Sequence, residues 1–301
     1  MNILKRPIRF LSVSLILVAT AVQGDSKFDN VAINTIPVND GIYMLMGAGG
    51  NIGVSIGDDG TFIIDNQYAE MSGKITAAIK KLSGTPAKFM ANTHWHGDHT
   101  GSNEHFGKQG VVIVAHENVR RSLSESKFLP LANKHKHASP KGALPVLTFQ
   151  NEMSLHLNGD DIRLVHVANA HTDGDAIIHF TKANVIHAGD TFFNGLYPYI
   201  DVASNGSLAG MIAASNTILQ LADEETKIIP GHGPLANKSD LIVYRDMLTT
   251  VEQKIGTLIR AGKNETEVIA AKPTAEFDSQ WGKGFLPADV WIKIIYNDMT
   301  K

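Results

Sequence analysis

The chain has no cysteine among its 301 residues. That excludes disulfides, thiolate metal ligands, a thiol nucleophile and a lipid-modified cysteine, so any metal site must use His, Asp and Glu. Charge is also sparse, at 19% of residues with a formal net of -3. Without a basic excess there is nothing to hold a polyphosphate, and no nucleic-acid partner is expected. Long apolar runs are missing too. The longest, Phe10 to Val22, falls short of the ~20 residues a spanning helix needs. It follows Lys5, Arg6 and Arg9 and precedes small residues near Gly24, the pattern of a cleavable secretory signal over residues 1-24. The expected location is periplasmic or secreted, with no membrane attachment after cleavage.

What is present is a regular alternation of short apolar runs and turn residues. Ile42 to Met46, Gly53 to Ile56 and Phe62 to Ile64 read as an antiparallel meander, with Asp59-Gly60 as its hairpin signal. Ala69 to Leu82 has helical periodicity, and Ala87 to Ala91 is a short strand. A second strand and helix follow at Val111 to Ala115 and Glu117 to Ser124. Pro130 to Pro145 is polar and proline-flanked, and reads as a long surface loop. Strands resume at Ser154 to Leu157, Ile162 to Val167, Ala176 to Phe180 and Asn184 to His187. Ser207 to Leu221 is a helix, Lys227 to Ile229 a strand, and Leu241 to Ala261 a long helix; Asn264 and Glu267 form a capping pair for a further one. Strands followed by a helix, twice over, imply two sheets each covered on its outer face.

At the end of the Ala87 to Ala91 strand stands THWHGDHT, with three histidines and an aspartate between His94 and His99. His94 and His96, two apart in an extended segment, point to one side and can share an ion. Gly97 gives the chain freedom to swing round and aim Asp98 and His99 at a second ion. Three further residues sit just past apolar runs: His171 in ANAHTDGDA, Asp190 in HAGDT and His232 in IIPGHGP. Together they give seven candidate ligands, enough for two four- or five-coordinate ions with a position left for water.

These motifs, in this order, resemble the signature of the metallo-β-lactamase superfamily, from about Gly41 to about Asp246. The resemblance implies an α/β fold: a four-layer αββα sandwich of two similar halves with a dinuclear site at one sheet edge. It implies one domain over residues 25-301, with a core at about 41-246 and a C-terminal helical extension at about 247-301. It assigns His94, His96 and His171 to the first ion, Asp98, His99 and His232 to the second, and Asp190 as a bridge. Asp65 in FIIDNQ matches a family aspartate that supports the ligands without being one. The best-known β-lactamase subclass has a cysteine at the Asp190 position and a non-ligand at His99. The all-His/Asp set is closer to glyoxalase II, lactonases and phosphodiesterases.

An ion held by neutral imidazoles lowers the pKa of its water to about 7, so hydroxide is available to attack a carbonyl or phosphorus centre. Asp98 would orient that hydroxide and pass on a proton. The expected cofactor is zinc, two ions per chain, although His and Asp accept iron or manganese as well. The expected partner is a small-molecule substrate: a β-lactam or similar cyclic amide or ester, or alternatively a thioester, lactone or phosphodiester. A non-catalytic zinc-binding protein is the reading from another class. Candidate substrate contacts are Trp95, Tyr197 and Asn205, with Asn51 and Tyr199 nearby in sequence to the motifs; Trp95 suits the core equally, and Asn205-Gly206 also suits a helix start. His187 is expected to support Asp190 through a hydrogen bond, His116, His166 and His179 to pack in the core, His135 and His137 to be solvated, and His105 to lack a partner. Trp281, Phe285 and Trp291 either pack on the core or form a contact.

Overall fold

The computed structural model describes residues 27-83, 85-129, 131 and 133-301; the signal expected over residues 1-24 lies outside the described residues. The chain opens with the meander β1 (Asn34–Asn39), β2 (Ile42–Met46), β3 (Ile52–Gly57) and β4 (Gly60–Ile64). The β3-β4 turn is Asp58-Asp59, with Gly57 opposite Gly60, and only Gly60 takes the left-handed backbone (φ 111). The expected Asp59-Gly60 turn is therefore shifted by one residue. After helix α1 (Ser72–Leu82), β5 (Ala87–Ala91) pairs parallel to β4. Short helices α2 (Gly97–Thr100) and α3 (Asn103–Lys108) lead to β6 (Val112–His116) and α4 (Glu117–Ser124).

The expected Pro130 to Pro145 loop is more ordered than its composition suggests. Its first part closes a small hairpin, β7 (Lys127–Leu129) with β8 (Lys134–Lys136), and a 3-10 turn spans Lys141–Ala143. Then β9 (Leu147–Phe149) adds to β6, completing a sheet of order β1-β2-β3-β4-β5-β6-β9. The second sheet, β10 (Glu152–Leu157), β11 (Asp160–His166), β12 (Ala176–Phe180), β13 (Val185–Phe193), β14 (Lys227–His232) and β15 (Ala236–Asn237), runs in sequence order. Helix α5 (Leu208–Leu221) separates β13 from β14, which pair parallel, and α6 (Lys238–Arg260), α7 (Glu265–Ala270), α8 (Asp278–Trp281) and α9 (Ala288–Met299) follow.

Strand periodicity explains the layers. Met44, Phe62, Ile64 and Val114 face across to Ile162, Leu164, Ile178 and Val185 and form the inter-sheet core. Their neighbours Leu45, Ile63 and Ile113 point outward to Met71, Ile75 and Ile79 on the α1 side. On the opposite side Ile177, Ile186 and Ile228 meet Met211, Ile218, Leu241, Leu248 and Ile295. Successive side chains alternate between faces, so each central strand is apolar on both sides and must be covered twice. The result is the αββα sandwich. The expected division at 246/247 falls inside α6, one continuous helix packed on the second sheet, so the helical C-terminus is not separable there. Trp281 and Trp291 are buried in that core, whereas Phe285 is 56% exposed.

Candidate metal centre

The parallel pairs β4-β5 and β13-β14 send their carboxyl ends to one edge, where the motif loops converge. Beyond β5 the chain bends over Thr93 to Trp95, is extended at His96 (φ -64, ψ 150) and then turns into α2, which puts Asp98 and His99 on a different bearing from His94 and His96. Gly97 does not supply that pivot through unusual torsions: it begins a helical turn, and a Cβ there would meet nothing within 4 Å. The helical turn itself does the swinging, closed by His99 and Thr100 N–H groups donating to the His96 carbonyl. Glycine is needed instead at Gly50 and Gly231, where a Cβ would come within 2.0 Å of the His99 ring and of Asp190 Oδ1.

All seven candidate ligands meet. His94, His96, His171 and Asp190 form one group of donor atoms within 4.8 Å of one another, and Asp98, His99 and His232 form a second. Asp190 touches both, its Oδ2 being 3.4 Å from His171 Nε2 and 3.5 Å from His232 Nε2, and its Oδ1 3.0 Å from His99 Nε2. Asp98 Oδ2 lies 3.3 Å from His232 Nε2.

The hydrogen bonds set the tautomers. Thr93 Oγ1 donates to Asp65 Oδ2 and so accepts from His94 Nδ1 at 3.0 Å, leaving His94 Nε2 bare. His96 Nε2 donates to Asp201 Oδ2 at 2.9 Å, and His171 Nδ1 to the Tyr199 carbonyl at 2.7 Å. The remaining nitrogens, His96 Nδ1 and His171 Nε2, face each other at 2.8 Å. His99 Nδ1 donates to Asp65 Oδ2 at 2.7 Å, leaving its Nε2 3.4 Å from His232 Nε2. The lone pairs of His96 Nδ1 and His171 Nε2, aimed at one another, repel unless a cation stands between them. Ligands about 2.0–2.1 Å from a tetrahedral ion are themselves about 3.4 Å apart, close to several of these spacings. His94 Nε2 and Asp190 Oδ1 are buried and have no hydrogen-bond partner, as atoms reserved for a cation would be. The donor set therefore fits a metal pair.

Charge is distributed accordingly. Burial and the neighbouring His99 hold His94 well below the ordinary histidine pKa, and burial brings His171 down to about 4. Burial also opposes charge on His232 and His99, yet Asp190 leads the carboxylates that lift the first to about 9 and the second well above its usual range. Burial would raise Asp98 and Asp190, but the imidazoles around them, His99 foremost, hold both carboxyls ionised far into acid. Asp65 is committed to His99, the Thr93 amide and the Thr93 hydroxyl, which makes it a support for the ligands. Its left-handed backbone (φ 63) is held by these bonds.

The expected substrate contacts fare differently. Trp95 is 1% exposed and packs with Ala115, Val119 and Leu123, under the Lys127 and Lys136 ammoniums at 5.0 and 5.7 Å. It is a core residue. Tyr197 is equally buried, its hydroxyl donating to Asp278 Oδ1 at 2.8 Å and its ring stacked on Trp291, so it joins α8 and α9 to the core. Asn205 takes a left-handed backbone after a 3-10 turn (Val202–Ser204) and donates to Asp173, while Ser207 caps α5. Asn51 is buried, donating to the Pro230 and Gly233 carbonyls. Two of the rings touch the site: that of Tyr199 is 5.8 Å from those of His96 and His171, and the inward-facing ring of Trp95 is 4.7 Å from that of His96.

Among the other histidines, His187 and His105 differ from expectation, whereas His116, His135 and His137 do not. His187 bonds the Asn51 carbonyl and the Gly189 amide, so it steadies the backbone beside Asp190 without touching its carboxylate. His105 has partners in Thr76 and Gln109. His116 stacks on His166 at 3.8 Å, joining the two sheets. His135 and His137 are exposed. Asp201 is a site residue that sequence reasoning missed, although it follows the Tyr197 to Tyr199 stretch; an aspartate ahead of Val202 reads as a turn residue, which by accepting from the Ser204 amide it also is.

The family model of the metallo-beta-lactamase superfamily matches residues 47–232. No curated protein sequence matches the chain significantly. Among solved structures it is similar to a metallo-beta-lactamase from Pontibacter korlensis (TM-score 0.60, 17% identity, 72% of this chain and 99% of that one). It is also similar to the metallo-beta-lactamase FIM-1 from Pseudomonas aeruginosa in a mono-zinc form (TM-score 0.58, 18% identity, 73% and 96%). A double mutant of the sec-alkyl sulfatase PisA1 superposes with TM-score 0.65 at 16% identity over 88% of this chain and 50% of that one.

Proposed function

Because the chain belongs to the metallo-beta-lactamase superfamily, we propose that it is an exported, dinuclear zinc hydrolase acting on the carbonyl of a β-lactam or similar cyclic amide or ester. The observation that carries this is Asp190, whose carboxylate is shared between His171 on one side and His99 and His232 on the other. His94, His96 and His171 would hold one ion, Asp98, His99 and His232 the other, with Asp190 between them. When bound, the metal supplies Lewis acidity and a water activated at neutral pH.

The chain's own residues do the rest. Asp201, Tyr199 and Thr93 fix the ring orientations and so leave one bare nitrogen on each of His96, His171 and His94. Asp98 stays ionised and is 22% exposed beside His232, so it can orient an attacking water by accepting its hydrogen bond. His96 and His232 are also partly exposed, at 13% and 20%, which leaves that side of the cluster open to substrate, as a storage site would not be. Lactones, thioesters and phosphodiesters form the second reading, favoured by an aspartate at 190 where the best-known lactamase subclass has cysteine.

Metal analysis of the purified protein should approach two ions per chain and fall in His94→Ala; one ion or none in the unaltered protein would sink the dinuclear assignment. A panel of chromogenic lactams, thioesters, lactones and bis-aryl phosphates then separates the substrate readings. Full metal loading without turnover of any of them would favour the binding protein.

A further inference from the structure

Next to the cluster, α9 and the 199-203 segment enclose a cavity of about 440 Å³, within the range of small-molecule sites. Its walls include Tyr199, Ile200, Val202, Val290 and Ile294, with Leu131 of the β7-β8 loop. Val290 and Leu131 are 36% and 48% exposed, so large aliphatic side chains face water together here, a pattern that marks a binding surface more often than a scattered leucine does. The charged groups are Lys293, held by Glu265 at 3.0 Å, and Lys301, whose Nζ donates to the Val202 carbonyl.

The cavity and the cluster share one side chain as a common wall. Tyr199 lines the cavity and also packs beside His96 and His171. The same segment is fastened to the ligands: the Asp201 amide donates to the His171 carbonyl, and the Asp201 carboxylate accepts from His96. Val290, Ile294 and Lys293 come from α9, beyond the 47–232 match, so this wall is not part of the shared motif region.

We infer that the cavity seats an aliphatic chain carried by the substrate, and that the protein cleaves esters or lactones bearing such a chain. The inference rests on the hydrolase reading and narrows its substrate. Water adds across the acyl C–O bond, which breaks to give a carboxylate, an alcohol and one released proton.

The test has two arms. Straight-chain alkanoates of increasing length are titrated calorimetrically into the full chain, and p-nitrophenyl alkanoates and alkyl-substituted lactones of matched length are hydrolysed by the zinc-loaded protein. Affinity should rise about fourfold per methylene until the cavity is full, and kcat/KM should follow. Val290→Trp, at a half-exposed position that accepts a larger side chain, should collapse the long-to-short ratio in both arms, and Val290→Ala should keep most of it. Flat length dependence in both arms overturns the inference. So does a length dependence that Val290→Trp leaves untouched, or self-association through this face without alkanoate binding. Length-dependent binding blocked by Val290→Trp, without turnover of any ester or lactone, supports the cavity assignment and overturns the ester chemistry, while the hydrolase reading itself falls only if the lactams, thioesters and phosphodiesters of the panel above are also left intact.

Discussion

Asp201 never faces the metal side of the cluster, yet its carboxylate decides which nitrogen His96 presents. Burial would raise it, but the His96 hydrogen bond leads the contacts that bring it down to about 2, so it is an anion at any working pH. Asp201→Asn should weaken metal affinity by about 10- to 100-fold, the usual effect of losing such a support, measured by competition with a chromogenic chelator. An asparagine variant that binds as tightly as the parent would reduce Asp201 to a turn residue. The ligands themselves were legible because metal chemistry needs particular side chains, and His94 to His99 crowds four of them into six positions. Asp201 was not, because its role depends on a partner 105 residues away that only folding brings near. Trp95 and Tyr197 were left open for the opposite reason: they lie among functional residues in sequence, and only folding shows that their rings turn inward.

Among elements, the central strands were readable from their apolar runs, and the ones missed were edge or polar pieces. Strand β1 contains Pro37 and two asparagines, acceptable only at an edge. β8 is Lys-His-Lys and shows no apolar pattern at all. Where β6 ends, His116 stacks on His166 of β11 and thereby ties one sheet to the other. Burial, with His166 next, depresses the pKa of His116. A depressed histidine contributes stability that is present above its ordinary pKa near 6.5 and is lost as pH falls through the folded-state value. The melting temperature should therefore drop between about pH 7.5 and about pH 5.5, and His166→Phe, which keeps a ring there without the charge, should shrink that drop. Scanning calorimetry at the two pH values checks this; an unchanged drop would move the effect to other histidines.

For the molecule as a whole, the centre draws His94, His96, Asp98 and His99 from the segment that follows β5 of the first sheet, and His171, Asp190 and His232 from the second half, the last two within β13 and β14. A bound metal pair would be a cross-link between the halves. Free metal at about 100 times its Kd adds about 2.7 kcal/mol, so chelation should lower the melting temperature by several degrees. His94→Ala should show a smaller fall, and an equal one would place the stabilising ions elsewhere. The two-half plan was legible from the repeated order of strands and helix, whereas the end of the core was not, since α6 runs through it and α9 returns to wall a cavity. Two ligands leave no room for a side chain beside them, at Gly50 against His99 and at Gly231 against Asp190. A random mutant library should therefore split: alterations near those glycines are lethal to the metal, while the outward face of α9 stays open to variation. A laboratory lineage can thus drift in what it recognises without passing through an ancestor that has lost its ions.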